Sequence, residues 1–162
     1  MAAMKTLMVC LVDVGKTMQD PICSHGPSKL DTALTLIGSL TTQCIMASKT
    51  VEYAVVTFGS NKTHNALNKT CKGYEGVEEV LPMGCQTLSS ITEVYGIEGT
   101  NNPSDFVDGI AVSQDILINS NEGKKYNRVL LLLTDNETEE DADGLSILDT
   151  CVNRLSEDGY MC

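Results

Sequence analysis

No stretch of this 162-residue sequence approaches the roughly 18 consecutive apolar residues of a membrane span, so no membrane association is expected. The one candidate targeting signal is the short apolar run that follows Lys5 and ends at Val12. Asp13 closes it and no small-residue cleavage site follows, so it reads as a buried strand. Basic residues are scarce: 11 Lys and Arg stand against 22 Asp and Glu, a net charge of −11. Nucleic-acid affinity rests mainly on Lys and Arg neutralising phosphates, so this segment is not expected to grip DNA. Lys124, Lys125 and Arg128 form the basic cluster of note, and three charges do not make a DNA-binding surface. The seven cysteines (Cys10, Cys23, Cys44, Cys71, Cys85, Cys151 and Cys162) include no CxxC pair, which excludes a zinc ribbon or dithiol redox motif. Cys10 and Cys44 fall in apolar patterns, where cysteine behaves as a small hydrophobe, and free thiols in a reducing compartment are expected. Three N-x-[ST] sequons, at Asn61, Asn68 and Asn136, read as chance matches without a secretory signal. The two histidines, His25 and His64, lie in polar loops with no Cys or Glu at metal spacing, and are expected to be solvated. There is no internal repeat and no low-complexity tract.

What is present fits one domain spanning 1–162, long enough to bury roughly 70% of its unfolded surface. Residues 7–12 and 129–133 are uninterrupted apolar runs, the mark of strands covered on both faces. A third strand is predicted over 52–58, ending at Gly59, and a weaker fourth over 77–81, ending at Pro82. Leu30, Ala33, Leu34, Ile37, Leu40 and Cys44 recur at helical spacing, predicting an amphipathic helix of about 18 residues. Phe106, Val107, Ile110, Ala111, Leu117 and Ile118 predict a second, with Ser104 as its N-cap. Leu145, Leu148, Val152 and Leu155 predict a third, ended by Gly159. A short helix is expected over 88–94. Residues 21–28 and 96–103 read as loops by their Gly, Pro, Ser and Asn content. Strands alternating with helices imply an α/β fold with an open, doubly wound, mostly parallel sheet flanked by helices. The pattern stops at Cys162, where another strand should follow the third helix, so the sequence reads as a fragment of a longer chain cut before its last strands.

Two chemistries compete for Asp13-Val-Gly-Lys-Thr17, directly after the first strand. Gly15-Lys16-Thr17 looks like the end of a phosphate-binding loop, which would need a glycine five residues earlier. That position is Cys10, inside the strand, so no phosphate cradle is expected. The other reading starts from Asp13 and Asp135, each placed at the carboxyl end of a strand, where open α/β sheets bind ligands. Asp13, Thr17, Ser104 and Asp135 offer carboxylate and hydroxyl oxygens of the kind hard divalent cations take. Each also has a purely structural explanation. A strand-end carboxylate accepts loop amides, Thr17 caps a turn and Ser104 caps a helix. The acidic run 137–143 is a solvated loop near a helix start, or alternatively a surface for basic peptides.

The ordered residues carry a resemblance. Asp-x-Gly-x-Thr after the first strand, a hydroxyl opening a later helix, and Thr-Asp after a Leu-rich strand resemble a von Willebrand factor A domain. Its adhesion-type metal site usually reads Asp-x-Ser-x-Ser with a later Thr and Asp. Here Gly15 stands where the first serine should be, so the site at Asp13, Thr17, Ser104 and Asp135 is degenerate. No cofactor is expected, with Mg²⁺ the alternative that the site leaves open. Val12-Asp-Val-Gly-Lys-Thr-Met18, Val56-Thr-Phe-Gly59, Ser104-Asp-Phe-Val-Asp108 and the Gly123-Lys-Lys125 loop resemble the amino-terminal domain of Ku large (eighty-kilodalton) subunits. That resemblance implies a nuclear role in double-strand-break repair by non-homologous end joining. It also implies pairing with a Ku small subunit, DNA ends held by the whole complex rather than this domain, and recruitment of the DNA-dependent protein kinase and end-joining factors. The family has been credited with ATP-dependent helicase activity, but this segment offers no nucleotide site and no catalytic constellation. The rival expectation is a divalent-cation-dependent adhesion or scaffold A domain.

Overall fold

The computed structural model describes residues 5–47, 50–120 and 126–137, together with Thr150 and Asn153. Its strands are β1 (Thr6–Asp13), β2 (Val51–Phe58), β3 (Glu78–Gly84) and β4 (Asn127–Leu133). Its helices are α1 (Lys29–Ala47), α2 (Ala66–Cys71), α3 (Leu88–Tyr95) and α4 (Phe106–Asn119), with a 3-10 turn over Lys16–Gln19.

The sheet order is β3-β2-β1-β4, with β1 parallel to both β2 and β4 and β3 antiparallel to β2. From β1 the chain passes through α1 to β2 on one flank, and it reaches β4 on the other flank of β1 only later, from β3 through α3 and α4. Strand order reverses between β1 and β4, and a doubly wound sheet opens its ligand crevice at such a point.

Alternation along β1 sorts the core into two layers. Cys10 and Val12 join Leu30, Leu34, Ile37, Tyr53, Val55 and Val94 under α1 and α3. Leu7, Val9 and Leu11 join Ala54, Val56, Phe58, Ile110 and Leu117 under α4. The apolar runs lack alternation because both faces are covered. β4 is the exception. Expected to be fully buried, it is half-buried along its length, being an edge of the described sheet.

α1 opens with a reciprocal pair: the Asp31 amide donates to Ser28 Oγ at 2.9 Å and the Ser28 amide to Asp31 Oδ2 at 3.2 Å. Other details correct the sequence reading. Pro82 does not end the fourth strand. β3 runs on to Gly84, because Tyr53 pairs with Gly84 and Val55 with Leu81, leaving Pro82 and Met83 opposite Ala54 in a bulge. A proline at a bulge on an edge strand withholds no needed N–H. The six-residue α2 was not foreseen; Asn65 caps it, accepting from the Asn68 amide at 2.7 Å. The helix expected over 145–155 falls outside the described residues except Thr150 and Asn153, whose backbones are helical. Lys124 and Lys125 also fall outside them, as does 138–143 of the acidic run. No described helix is long and apolar enough to cross a membrane.

Candidate functional site at the carboxyl edge

β1 and β4 end side by side, so Asp13 and the Thr134–Asp135 pair reach the same edge of the sheet. Asp13 is 1% exposed and, among the described residues, in no ion pair; three donors hold it instead. The Gly15 amide donates to Oδ1 at 2.8 Å, Ser104 Oγ donates to the same oxygen, and Thr134 Oγ1 donates to Oδ2 at 2.9 Å. Hydrogen bonds to a charged acceptor are the strong ones, and a buried carboxylate needs them.

Ser104 is therefore not the N-cap the sequence predicted. Asp105 caps α4, its Oδ1 accepting from the Val107 amide at 2.9 Å and the Asp108 amide at 3.2 Å. That frees Ser104, one residue earlier, to face Asp13. Its hydroxyl lies where a side chain on residue 15 would begin: a Cβ there would stand 1.9 Å from Ser104 Oγ. Gly59 closes the same space from β2. Its φ of +74° suits glycine, and a Cβ there would stand 3.2 Å from the Gly15 backbone. Two glycines thus let three loops meet with the Ser104 hydroxyl between them.

The loop expected over 96–103 supplies the rest of the support. Thr100 donates its amide to Val14 O at 2.7 Å and its hydroxyl to Gly59 O. Asn102 Nδ2 reaches Ser60 O at 3.1 Å and Asn61 Oδ1 at 2.9 Å.

Asp135 forms a second centre. Thr17 Oγ1 donates to Oδ1 at 3.2 Å, the Glu137 amide donates to the same oxygen at 3.2 Å, and Lys29 Nζ donates to Oδ2 at 2.8 Å. Lys29 also reaches Glu137 Oε1 at 2.8 Å. Burial alone would push the Asp135 carboxyl up, but the bonds from Lys29, the Glu137 amide and Thr17 together hold it below the usual carboxylate value. The same bonds from Asp135 and Glu137 raise the Lys29 ammonium above its ordinary value. Both groups stay charged across the neutral range.

All four sequence-predicted site residues thus sit at one edge, Asp13 with Ser104 and Thr17 with Asp135. Sequence reasoning missed Lys29, Thr134 and Glu137. Lys29 did carry a signal: a lysine opening a helix sits against the helix dipole. As a metal site the set does not fit. Both carboxylates are engaged by protein donors, Gly15 brings no hydroxyl, Ser104 donates its hydroxyl hydrogen bond to Asp13, and an ammonium already lies against Asp135. Among the described residues no group of three or more His, Cys, Asp or Glu is placed to hold a metal ion. Nor does a phosphate loop exist, since Cys10 is a buried strand residue and Gly15 opens a 3-10 turn. Beside the edge lies a cavity of about 410 Å³. Glu78, Glu93 and Glu98 line it, with Lys62 as its cation.

Residues 7–159, which carry this sheet and the arrangement at the β1 and β4 ends, match the model of the Ku70/Ku80 N-terminal alpha/beta domain. The chain belongs to that family. The Ku-type domain is 28% identical over 135 residues to the ATP-dependent DNA helicase 2 subunit KU80 of Oryza sativa subsp. japonica, covering 83% of this chain and 18% of that protein. It is 24% identical over 149 residues to the X-ray repair cross-complementing protein 5 of Dictyostelium discoideum, covering 90% of this chain and 18% of that one. The chain thus spans about a fifth of the length of the curated relatives it matches. Among solved structures, the SpRpn10 von Willebrand A domain superposes with a TM-score of 0.65 at 13% identity, over 98% of this chain and 72% of that one. BatB from Bacteroides thetaiotaomicron gives 0.64 at 16% identity, over 97% and 63%. At such identities the likeness concerns the fold: the Ku-type domain has a von Willebrand A architecture.

Proposed function

We propose that this Ku-type domain is a protein-interaction module of a heterodimer that binds DNA ends and acts in the nucleus in double-strand-break repair by non-homologous end joining. The observation that carries the reading is the family match over residues 7–159, joined to relatives whose names concern KU80 and X-ray repair. The partner is a Ku small subunit, and DNA is held by the whole complex. A net charge of −11 supports a peripheral place for this segment, because a polyanion is repelled by it. The docking partners are the DNA-dependent protein kinase and end-joining factors. The carboxylate-lined cavity beside the site offers a basic side chain of such a partner an acidic seat.

The test is co-expression of the chain with a Ku small subunit, followed by affinity capture and gel-shift on a linear duplex. Co-purification, with end binding by the complex and none by this chain alone, is the expected result. Failure to co-purify, together with unimpaired end joining in cells lacking the chain, refutes the reading.

A further inference from the structure

We infer that Lys29 is a tethered cation: its ammonium does at this edge what a divalent ion would do, so the carboxylate cluster is closed by the chain itself. Asp135 and Glu137 lie together at the exit of β4, and Asp13 reaches the same edge through Thr134; charges of one sign so placed call for positive charge. Lys29 meets two of them at once, with Nζ 2.8 Å from Asp135 Oδ2 and 2.8 Å from Glu137 Oε1. The contact is sheltered on the Asp135 side, whose side chain is 8% exposed against 24% for Lys29.

Helix formation does not explain the residue. Lys29 opens α1, where the dipole favours anions and disfavours a lysine. What holds it there is the pair of carboxylates across the edge. It thereby ties the start of α1 to the exit of β4, and Thr17 joins the 3-10 turn to the same carboxylate. The hydroxyl missing at Gly15 is likewise supplied from within, by Ser104, whose Oγ fills that space and bonds Asp13. Protein atoms therefore provide both the cation and the hydroxyl. Docking at this edge is then independent of Mg²⁺ and of chelators. The inference rests on the local geometry and not on the end-joining reading, so either can fail alone.

The experiment follows thermal melting of the chain, as native and as Lys29→Met, in EDTA, Mg²⁺ and Mn²⁺. A second readout is Mn²⁺ broadening of backbone amide NMR signals from residues 13–17 and 134–137. The native chain should melt at one temperature in all three solutions and show no selective broadening. Lys29→Met should melt about 5 °C lower in EDTA, and Mn²⁺ should recover part of the loss while broadening those signals. Native protein that is stabilised by Mg²⁺ or broadened selectively by Mn²⁺ overturns the inference. So does a folded Lys29→Met protein that ignores both ions. If Lys29→Met does not fold, the broadening test on native protein decides by itself.

Discussion

Ser104 Oγ occupies the space a side chain at position 15 would need, so the two residues are coupled through one small volume. Gly15→Ser forces the Ser104 hydroxyl off Asp13 or pushes the loops apart. Overpacking of this kind costs about 1–3 kcal/mol. Ser104→Ala opens the space at the cost of one hydrogen bond to a charged group, about 1.5–3 kcal/mol. The double variant should be less destabilised than the sum of the two. Urea unfolding of the four proteins measures this, and strict additivity would show that the residues do not share the space. The sequence displays the glycine and the serine separately. Their contact was not legible there, because 88 residues lie between them and only the sheet brings their loops together.

At the scale of the element, the start of α4 separates two roles that share adjacent positions. Asp105 accepts two amides of the first helical turn, while Ser104 faces away from the helix towards Asp13. Asp105→Ala should therefore cost about 0.5–2 kcal/mol, typical of a lost N-cap, and fray α4. Ser104→Ala should leave α4 intact. Amide hydrogen exchange across Phe106–Ile110 distinguishes them: faster exchange in the Asp105 variant and unchanged exchange in the Ser104 variant is the expected pattern. Equal effects would restore Ser104 as the cap. The sequence placed the cap one residue early because Ser and Asp are comparable N-caps, and propensity alone does not choose between neighbours. β3 illustrates the same limit. Pro82 is a strand breaker by composition, yet it is accommodated where β3 bulges against Ala54.

At the scale of the molecule, the layer beneath α1 stores protons at high pH. Burial pushes the Cys10 thiol up to about 12, with the nearby Cys44 adding to the rise. Burial also pushes the Tyr53 hydroxyl up to about 12, although its hydrogen bond with Thr41 works the other way. In both cases the native state keeps a proton that the unfolded chain releases sooner. The resulting stability is fully present below about pH 9 and is lost as pH rises from there towards 12. Urea midpoints should fall across that window. Cys10→Ala should flatten the slope from its lower end and Tyr53→Phe from about pH 10 upward. A midpoint independent of pH between 9 and 12 would show that neither group is held neutral by the fold.

The sequence by itself determined the class and most of the scaffold. Two unbroken apolar runs marked strands β1 and β4, and the helical spacing of Leu30 to Cys44 marked α1. The ordered motifs around Asp13, Gly59 and Ser104, with the Gly123-Lys-Lys125 loop, indicated the Ku-type family that the family match shows. Those are local signals, written in periodicity and neighbouring residues. Only the tertiary structure decided what the site is made of. Whether Asp13 meets a metal, a serine or a lysine depends on which loops the β3-β2-β1-β4 order sets side by side. Lys29 meets Asp135 at a sequence separation of 106 and Ser104 meets Asp13 at a separation of 91. Contacts over such separations leave no periodic trace in the chain. They turn a motif that reads as a cation site into an edge closed by its own side chains.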